Sequence, residues 1–312
     1  MKIAVIEPLG VETSLLKELS SGLVPEAEFI IYDTRTTETS ELISRGADAD
    51  IVVLANQPVS AEVIAGWRQV KMLAVAFTGV DHIALDACRM RNITVCNCAG
   101  YSTVAVADLV FGMLISHFRN LEPCNAAVRA GKTKEGLVGF ELEGKKFGVV
   151  GTGAIGSRVA RIAQAFGCEV YAYSRTRREL SGVTYVGLDE LLSLCDIVSL
   201  HVPLTGETRG MIHAGNLALM KPSAVLINTA RGPVVDSAAL TDALNSGIIA
   251  GACVDVFDVE PPLPLDTPLL HAKNLTAAPH IGFATQEALV KRARMVFENI
   301  QAFLDGSPKN QV

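Results

Sequence analysis

The stretch Val149-Val150-Gly151-Thr152-Gly153-Ala154-Ile155-Gly156 limits the possible folds more than any other part of the chain. Phe147, Val149 and Val150 form an apolar run that reads as a buried strand, and it leads straight into G-x-G-x-x-G. The residues that follow, up to Phe166, place Ile155, Val159, Ile162, Ala163 and Phe166 on one helical stripe. A second strand, Glu169 to Tyr173, comes next. Glycine-rich turns are common, but strand, loop and helix in this order form a cradle for a dinucleotide pyrophosphate. Gly151 permits the tight turn, Gly153 lets the phosphates approach the backbone, and Gly156 lets helix and strand pack closely. The helix N-terminus, opened by Ala154 and Ile155, offers free N–H groups to the anion.

The remaining chain alternates short apolar runs with amphipathic segments. In the first third, strands are expected at Ile3–Ile6, Glu28–Tyr32, Ile51–Leu54, Met72–Ala76 and Ile93–Cys96, with helices around 12–20, 38–46, 60–68 and 81–91. Repeated βα units imply a parallel, doubly wound sheet. The first strand is followed by Glu7-Pro8-Leu9-Gly10 and no glycine fingerprint, so this third is not expected to hold the dinucleotide. A long helical candidate runs from Ser102 to about Ala130, and the charged, glycine-rich residues 131–146 read as a surface loop. After the fingerprint come strands at Ile197–Val202, Ala224–Asn228, Gly251–Val256 and Leu275–Ala278. A last helix, about Thr285–Asp305, has Leu289, Val296 and Ile300 at helical spacing.

Composition narrows the function. A length of 312 residues suits one large domain or two ordinary ones, and 49% hydrophobic residues can fill sizeable cores. A formal charge of −6 argues against a general nucleic-acid binder. Seven cysteines, an odd number lying mostly in apolar segments, read as free thiols of a reducing cytoplasm. Cys96-Asn-Cys98 is too tight for C-x-x-C chemistry, and no metal site is expected. Lys2-Ile-Ala-Val-Ile6 reads as a strand and not as a signal peptide. No apolar run reaches the ~18 residues that would span a bilayer.

Four later segments lie at or just after strand ends, where parallel α/β sheets line their ligand crevice. They are His201-Val-Pro-Leu-Thr205, Asn228-Thr-Ala-Arg231-Gly-Pro, Asp255-Val-Phe-Asp-Val-Glu260-Pro and Pro279-His280-Ile-Gly282. Arg231 offers a planar fork that can grip a carboxylate, and His280 can exchange a proton near neutral pH. A glutamate such as Glu260 beside that histidine would set its tautomer. Singly, each has an ordinary reading: a satisfied loop histidine, a solvated arginine, a turn acid at Glu260, a cap at Asp255, a structural or cofactor-lining His201. Together with the fingerprint they suit redox chemistry on a hydroxy acid.

The end of the second fingerprint strand discriminates between cofactors. NAD sites usually place Asp or Glu there, roughly 20 residues after the glycines, to bind the ribose 2′-OH. This chain has Tyr173-Ser174-Arg175-Thr176-Arg177-Arg178. Ser174 and Thr176 can donate hydrogen bonds to a 2′-phosphate and Arg175 supplies the countercharge, so NADP is preferred. NAD with weaker ribose contacts remains the alternative.

At this point the sequence resembles the D-isomer-specific 2-hydroxyacid dehydrogenase family, in particular its glyoxylate/hydroxypyruvate reductase-like members. The matching stretches are Phe77-Thr-Gly-Val-Asp-His82, Asn97-Cys-Ala-Gly-Tyr101-Ser, Gly151–Gly156, Leu200-His-Val-Pro-Leu-Thr205 with Thr208, Ile227-Asn-Thr-Ala-Arg231-Gly, Asp255-Val-Phe with Glu260-Pro261, and Pro279-His280-Ile. The resemblance implies two doubly wound parallel-sheet domains of α/β class. A Rossmann cofactor domain (99–285) is inserted into a flavodoxin-like substrate domain (1–98 and 286–312).

By resemblance, Arg231 binds the substrate carboxylate, His280 is the general acid/base, Glu260 is its partner, and Thr78, Gly79 and Tyr101 contact substrate. Asp255 is assigned to the nicotinamide carboxamide. Val202, Pro203 and Thr208 are assigned to the adenine or pyrophosphate side. Val106, His201, Thr229, Ala230 and Gly282 complete the cofactor set, which also includes Arg231 and His280. A homodimer through the 102–130 helix and the loop after it is implied, with a small 2-oxo or 2-hydroxy acid as the other partner and neither nucleic acid nor membrane. Departures from the pattern are Asp108 where glutamate is more frequent, Ala154 where arginine is frequent, and no tryptophan before Gly139. A formate dehydrogenase would show glutamine as the histidine's partner, and a phosphoglycerate dehydrogenase would call for a phosphate site. A nucleotide-sensing corepressor of the same fold is the alternative from a different functional class.

Overall fold

Two runs without polar alternation, Ile51–Leu54 and Met72–Val75, become strands whose every residue is buried. This is what a parallel sheet covered on both faces demands. They are central in a sheet made of β1 (Lys2–Val5), β2 (Glu28–Ile31), β3 (Ile51–Leu54), β4 (Met72–Val75) and β5 (Thr94–Cys96). The strand order is β2-β1-β3-β4-β5, and all pairings are parallel. This is the flavodoxin-like order. The computed structural model describes residues 1–22 and 27–312. They divide into two units, one made of Met1–Ser102 with Ala284–Val312 and the other of Thr103–Phe283.

In the first unit the C-terminal helix Gln286–Leu304 packs on β4 and on the helix Thr13–Ser21. It starts where the Thr285 hydroxyl accepts the Ala288 N–H at 3.2 Å, and it buries Ala293, Val296 and Ile300. Trp67, the only tryptophan, is fully buried and donates its indole N–H to the Leu42 carbonyl at 2.9 Å. The helix expected at 81–91 covers only Leu85–Met90. The residues before it are drawn into a bridge between Val59 and Ile83, in which Val59 N–H donates to His82 and Ala84 N–H donates back to Val59.

The second unit holds β6 (Lys146–Val150), β7 (Glu169–Tyr173), β8 (Val183–Tyr185), β9 (Ile197–Leu200), β10 (Val225–Asn228), β11 (Gly251–Val254) and β12 (Leu275–Ala277). Their order is β12-β11-β10-β9-β6-β7-β8, all parallel. This is the Rossmann order with one further strand, and the chain reverses direction across the sheet between β6 and β9. One face is covered by Ala107, Val110 and Leu114 with Val159, Ala160 and Ala163, and the other by Leu191, Leu192, Leu240 and Leu244. β8, three residues at the sheet edge, was not anticipated from the sequence.

The single helix expected over 102–130 is two helices, Thr103–Phe118 and Leu121–Arg129, bent by 56°. Pro123 is the cause: it lacks the N–H that would bond the Arg119 carbonyl, and its ring would clash with that group. The chain turns through Asn120, at φ 51°, and restarts with Pro123 in the first turn, where no N–H is needed. Among the described residues no single helix is long and apolar enough to cross a membrane.

Candidate active site

The fingerprint turn is set by steric limits. Gly151 has φ +95°, and a Cβ there would lie 2.6 Å from the His201 carbonyl oxygen. A Cβ on Gly156 would lie 1.9 Å from the Gly151 carbonyl oxygen, so this crossing of helix and turn excludes any side chain. The helix Ala154–Ala165 begins at Gly153 with no side-chain cap, and the space around a Gly153 Cβ is open. Uncapped N–H groups facing open space suit a pyrophosphate, so the residues present fit a dinucleotide. Ala154 is exposed and Ile155 half-buried.

At the end of β7, Ser174 is half-buried and Arg175 and Thr176 are exposed. Arg175 Nη1 lies 3.3 Å from Glu207 Oε2, with side-chain exposures of 84% and 77%. A pair this solvated is weak and leaves the guanidinium available. Neither Glu207 nor Tyr185 was singled out in the sequence. The Tyr185 hydroxyl donates to Thr152 Oγ1 (3.1 Å) or to the Arg178 carbonyl (2.9 Å), and accepts from the Arg178 N–H (3.2 Å). It thereby ties the arginine-bearing loop to the fingerprint turn. A half-buried tyrosine on an unrecognised edge strand gave no sequence signal for this.

His201 follows β9. Its Nε2 is 2.9 Å from the wholly buried Ser199 hydroxyl, and burial pushes its pKa down to about 3, so it is neutral near pH 7. Val202 is half-buried and Pro203 exposed. The Thr208 hydroxyl donates to the Pro203 carbonyl and accepts the Thr205 N–H at 2.8 Å, closing the loop on itself.

Arg231, Glu260 and His280 stand on the loops after β10, β11 and β12, three neighbouring strands. His280 Nδ1 is 2.9 and 2.8 Å from the two Glu260 carboxylate oxygens. The histidine side chain is 10% exposed and that of Glu260 56%, so the ring is sheltered while its partner reaches solvent. His280 also meets the Phe283 ring edge-on at 5.5 Å. The Arg231 loop is shaped by Asn228, whose Nδ2 donates to the Arg231 carbonyl at 2.9 Å and whose Oδ1 accepts the Ala230 N–H at 3.1 Å. Arg231 Nη1 donates to the Ala230 carbonyl at 2.8 Å. The Thr229 Oγ1 beside it is buried without a hydrogen-bond partner, as a group awaiting a ligand would be.

Asp255, on the loop after β11, is 1% exposed. Burial raises its carboxyl above the ordinary range, against the pull of N–H bonds from Ile281 and Gly282. Its oxygens are thus engaged within the chain. Gly282 and Val106 are neighbours: a Cβ on the glycine would lie 3.5 Å from Val106 Cγ2. Asp108, the first departure noted above, lies 3.9 Å from Arg158 of the fingerprint helix.

The three expected substrate contacts belong to the first unit. The Thr78 carbonyl accepts from Asn97 Nδ2 at 2.7 Å, while its Oγ1 is buried and unpartnered. Gly79 is half-buried. Tyr101 is 3% exposed, under the Arg292 guanidinium at 5.6 Å.

Fold and site together define a dinucleotide-dependent oxidoreductase with a histidine–glutamate pair on the loops after β11 and β12. Comparison with known proteins narrows the class. The family model for the D-isomer specific 2-hydroxyacid dehydrogenase, NAD binding domain, matches residues 111–282. A glyoxylate reductase of Thermococcus litoralis is 40% identical over 294 residues, covering 90% of this chain and 88% of the relative. A hydroxypyruvate reductase of Blautia hydrogenotrophica is 36% identical over 302 residues, covering 93% and 94%. The solved structure of an acyclic imino acid reductase in complex with NADPH and D-Arg superposes with a TM-score of 0.91 at 30% identity, over the whole of both chains. The chain belongs to the D-isomer specific 2-hydroxyacid dehydrogenases, and it is an enzyme of that family with a nicotinamide dinucleotide as cofactor. Nothing in these comparisons supports the corepressor alternative, which is set aside.

Proposed function

We propose that the protein reduces a small 2-oxo acid to the D-2-hydroxy acid, with NADPH preferred over NADH. The observation that carries this reading is the His280–Glu260 pair at 2.8 Å on loops adjoining that of Arg231. Glu260 meets the ring at Nδ1, and the proton exchange with substrate is assigned to Nε2. Arg231 holds the oxo-acid carboxylate through two parallel hydrogen bonds, and Thr78, Gly79 and Tyr101 complete the substrate set. A bound nicotinamide supplies the hydride for the carbonyl carbon. His280 donates the Nε2 proton to the carbonyl oxygen as negative charge develops there, and Glu260 stabilises the charged ring before transfer. In the oxidising direction His280 takes the proton back.

NADPH preference rests on Ser174, Arg175 and Thr176 with no acid at the β7 end, and the NADPH-bound imino acid reductase is consistent with it. A homodimer is supported by Leu121, Val128, Val138 and Phe140, large apolar residues exposed on the helix Leu121–Arg129 and the loop after it. Seven free cysteines, six of them buried, suit a reducing cytoplasm. The test is spectrophotometric: oxidation of NADPH and NADH with glyoxylate, hydroxypyruvate, pyruvate and phenylpyruvate. Turnover with at least one acid, faster with NADPH, is expected. Tight NADPH binding without turnover of any of them would overturn the reading.

A further inference from the structure

The turn carrying His280 is built around Asp255. Ile281 N–H donates to its Oδ1 and Gly282 N–H to its Oδ2, each at 2.8 Å. A third link is main chain: His280 N–H donates to the Asp255 carbonyl at 2.8 Å. Asp255 is itself anchored, since its N–H donates at 2.9 Å to the carbonyl of Asn228, the residue that shapes the Arg231 loop. Three consecutive amides, 280 to 282, therefore converge on one buried residue. Within that grip His280 has φ +57°, the left-handed region that residues with a Cβ seldom occupy. Such a conformation persists only where its surroundings over-determine it.

We infer that Asp255 is a positioning residue for the reaction, its carboxylate clamping the Ile281 and Gly282 amides so that His280 is held in the left-handed conformation that turns Nδ1 onto Glu260. The inference rests on the acid/base role proposed for His280, and it gives the Asp255 carboxylate a task other than the carboxamide contact implied by resemblance. The same chain of bonds, Asn228 to Asp255 to His280, extends the pairing of β10, β11 and β12 past their ends. It couples the carboxylate-binding loop to the proton-donating one.

Asp255→Asn tests this, because the amide nitrogen that replaces one oxygen cannot accept a hydrogen bond. Hydrogen exchange of the Ile281 and Gly282 amides should be slow in the wild type, and at least one of the two should exchange about tenfold or more faster in the variant, as for one bond lost to a charged acceptor. Amides within β10 and β11 should be unchanged. In steady state the variant should lose about tenfold or more in kcat, with the NADPH Kd within about twofold of wild type. A tenfold weaker NADPH Kd with exchange and kcat unaltered would make Asp255 a cofactor contact and overturn the clamp. Were the variant not to fold, unprotected wild-type amides at 281 and 282 would overturn it equally. Exchange needs no turnover, so an inactive wild type would count against the proposed reaction and leave the clamp to be judged separately.

Discussion

His201 should make the second unit acid-sensitive by a calculable amount. In the folded chain burial pushes its pKa from the ordinary 6.5 to about 3, and its Nε2 rests on the Ser199 hydroxyl. The folded pKa lies below the unfolded one, so the unfolded state binds the extra proton. The stabilising contribution is complete above about pH 6.5 and is lost as pH falls toward 3. At ~1.4 kcal/mol per pH unit, folding is penalised by about 2 kcal/mol at pH 5 relative to pH 7.5. His201 retains partial exposure as a residue, which makes this figure an upper bound. The perturbation is His201→Gln, which keeps a polar side chain for Ser199 and removes the titration. Urea unfolding should be followed by circular dichroism at both pH values, since Trp67 fluorescence reports on the other unit. The stability advantage of wild type over variant should shrink by about 2 kcal/mol on acidification. An advantage that is constant to within about 0.5 kcal/mol would refute the claim that the ring is buried neutral.

Other substitutions separate the proposed roles. Arg231→Ala should raise KM for the oxo acid about a hundredfold, through loss of two hydrogen bonds to a charged group, with a far smaller change in the NADPH Kd by fluorescence titration. An unchanged KM would remove Arg231 from carboxylate binding. Arg175→Ala should cut the NADPH-over-NADH ratio of kcat/KM about tenfold while leaving NADH kinetics alone. An equal loss with both cofactors would mean that Arg175 does not meet the 2′-phosphate.

The architecture was legible where burial is continuous. Ile51–Leu54 and Met72–Val75 have only one use for an unbroken apolar run of that length, and the strand–glycine–helix order around Gly151 has few others. Local geometry hid the rest. Pro123 sits at the third position of a restarted helix, where it is tolerated, so 102–130 reads as continuous until the turn at Asn120 is seen. β8 has three residues and too little pattern to register. The pairing of His280 with Glu260 joins residues 20 apart, and only the parallel register of β11 beside β12 brings their loops together. The hydrogen-bond partners of Asp255 and Asn228 carry the least sequence signal. An Asx residue at or just past a strand end reads as a turn cap, and which amides it receives depends on the neighbouring strand.

The central claim is that His280 moves the proton, and His280→Ala measured beside wild type tests it most directly. Turnover of the best oxo acid from the panel should fall by roughly 10²–10⁴, the range for loss of a general acid, while NADPH binding stays largely intact. Wild-type turnover in that variant would contradict the account.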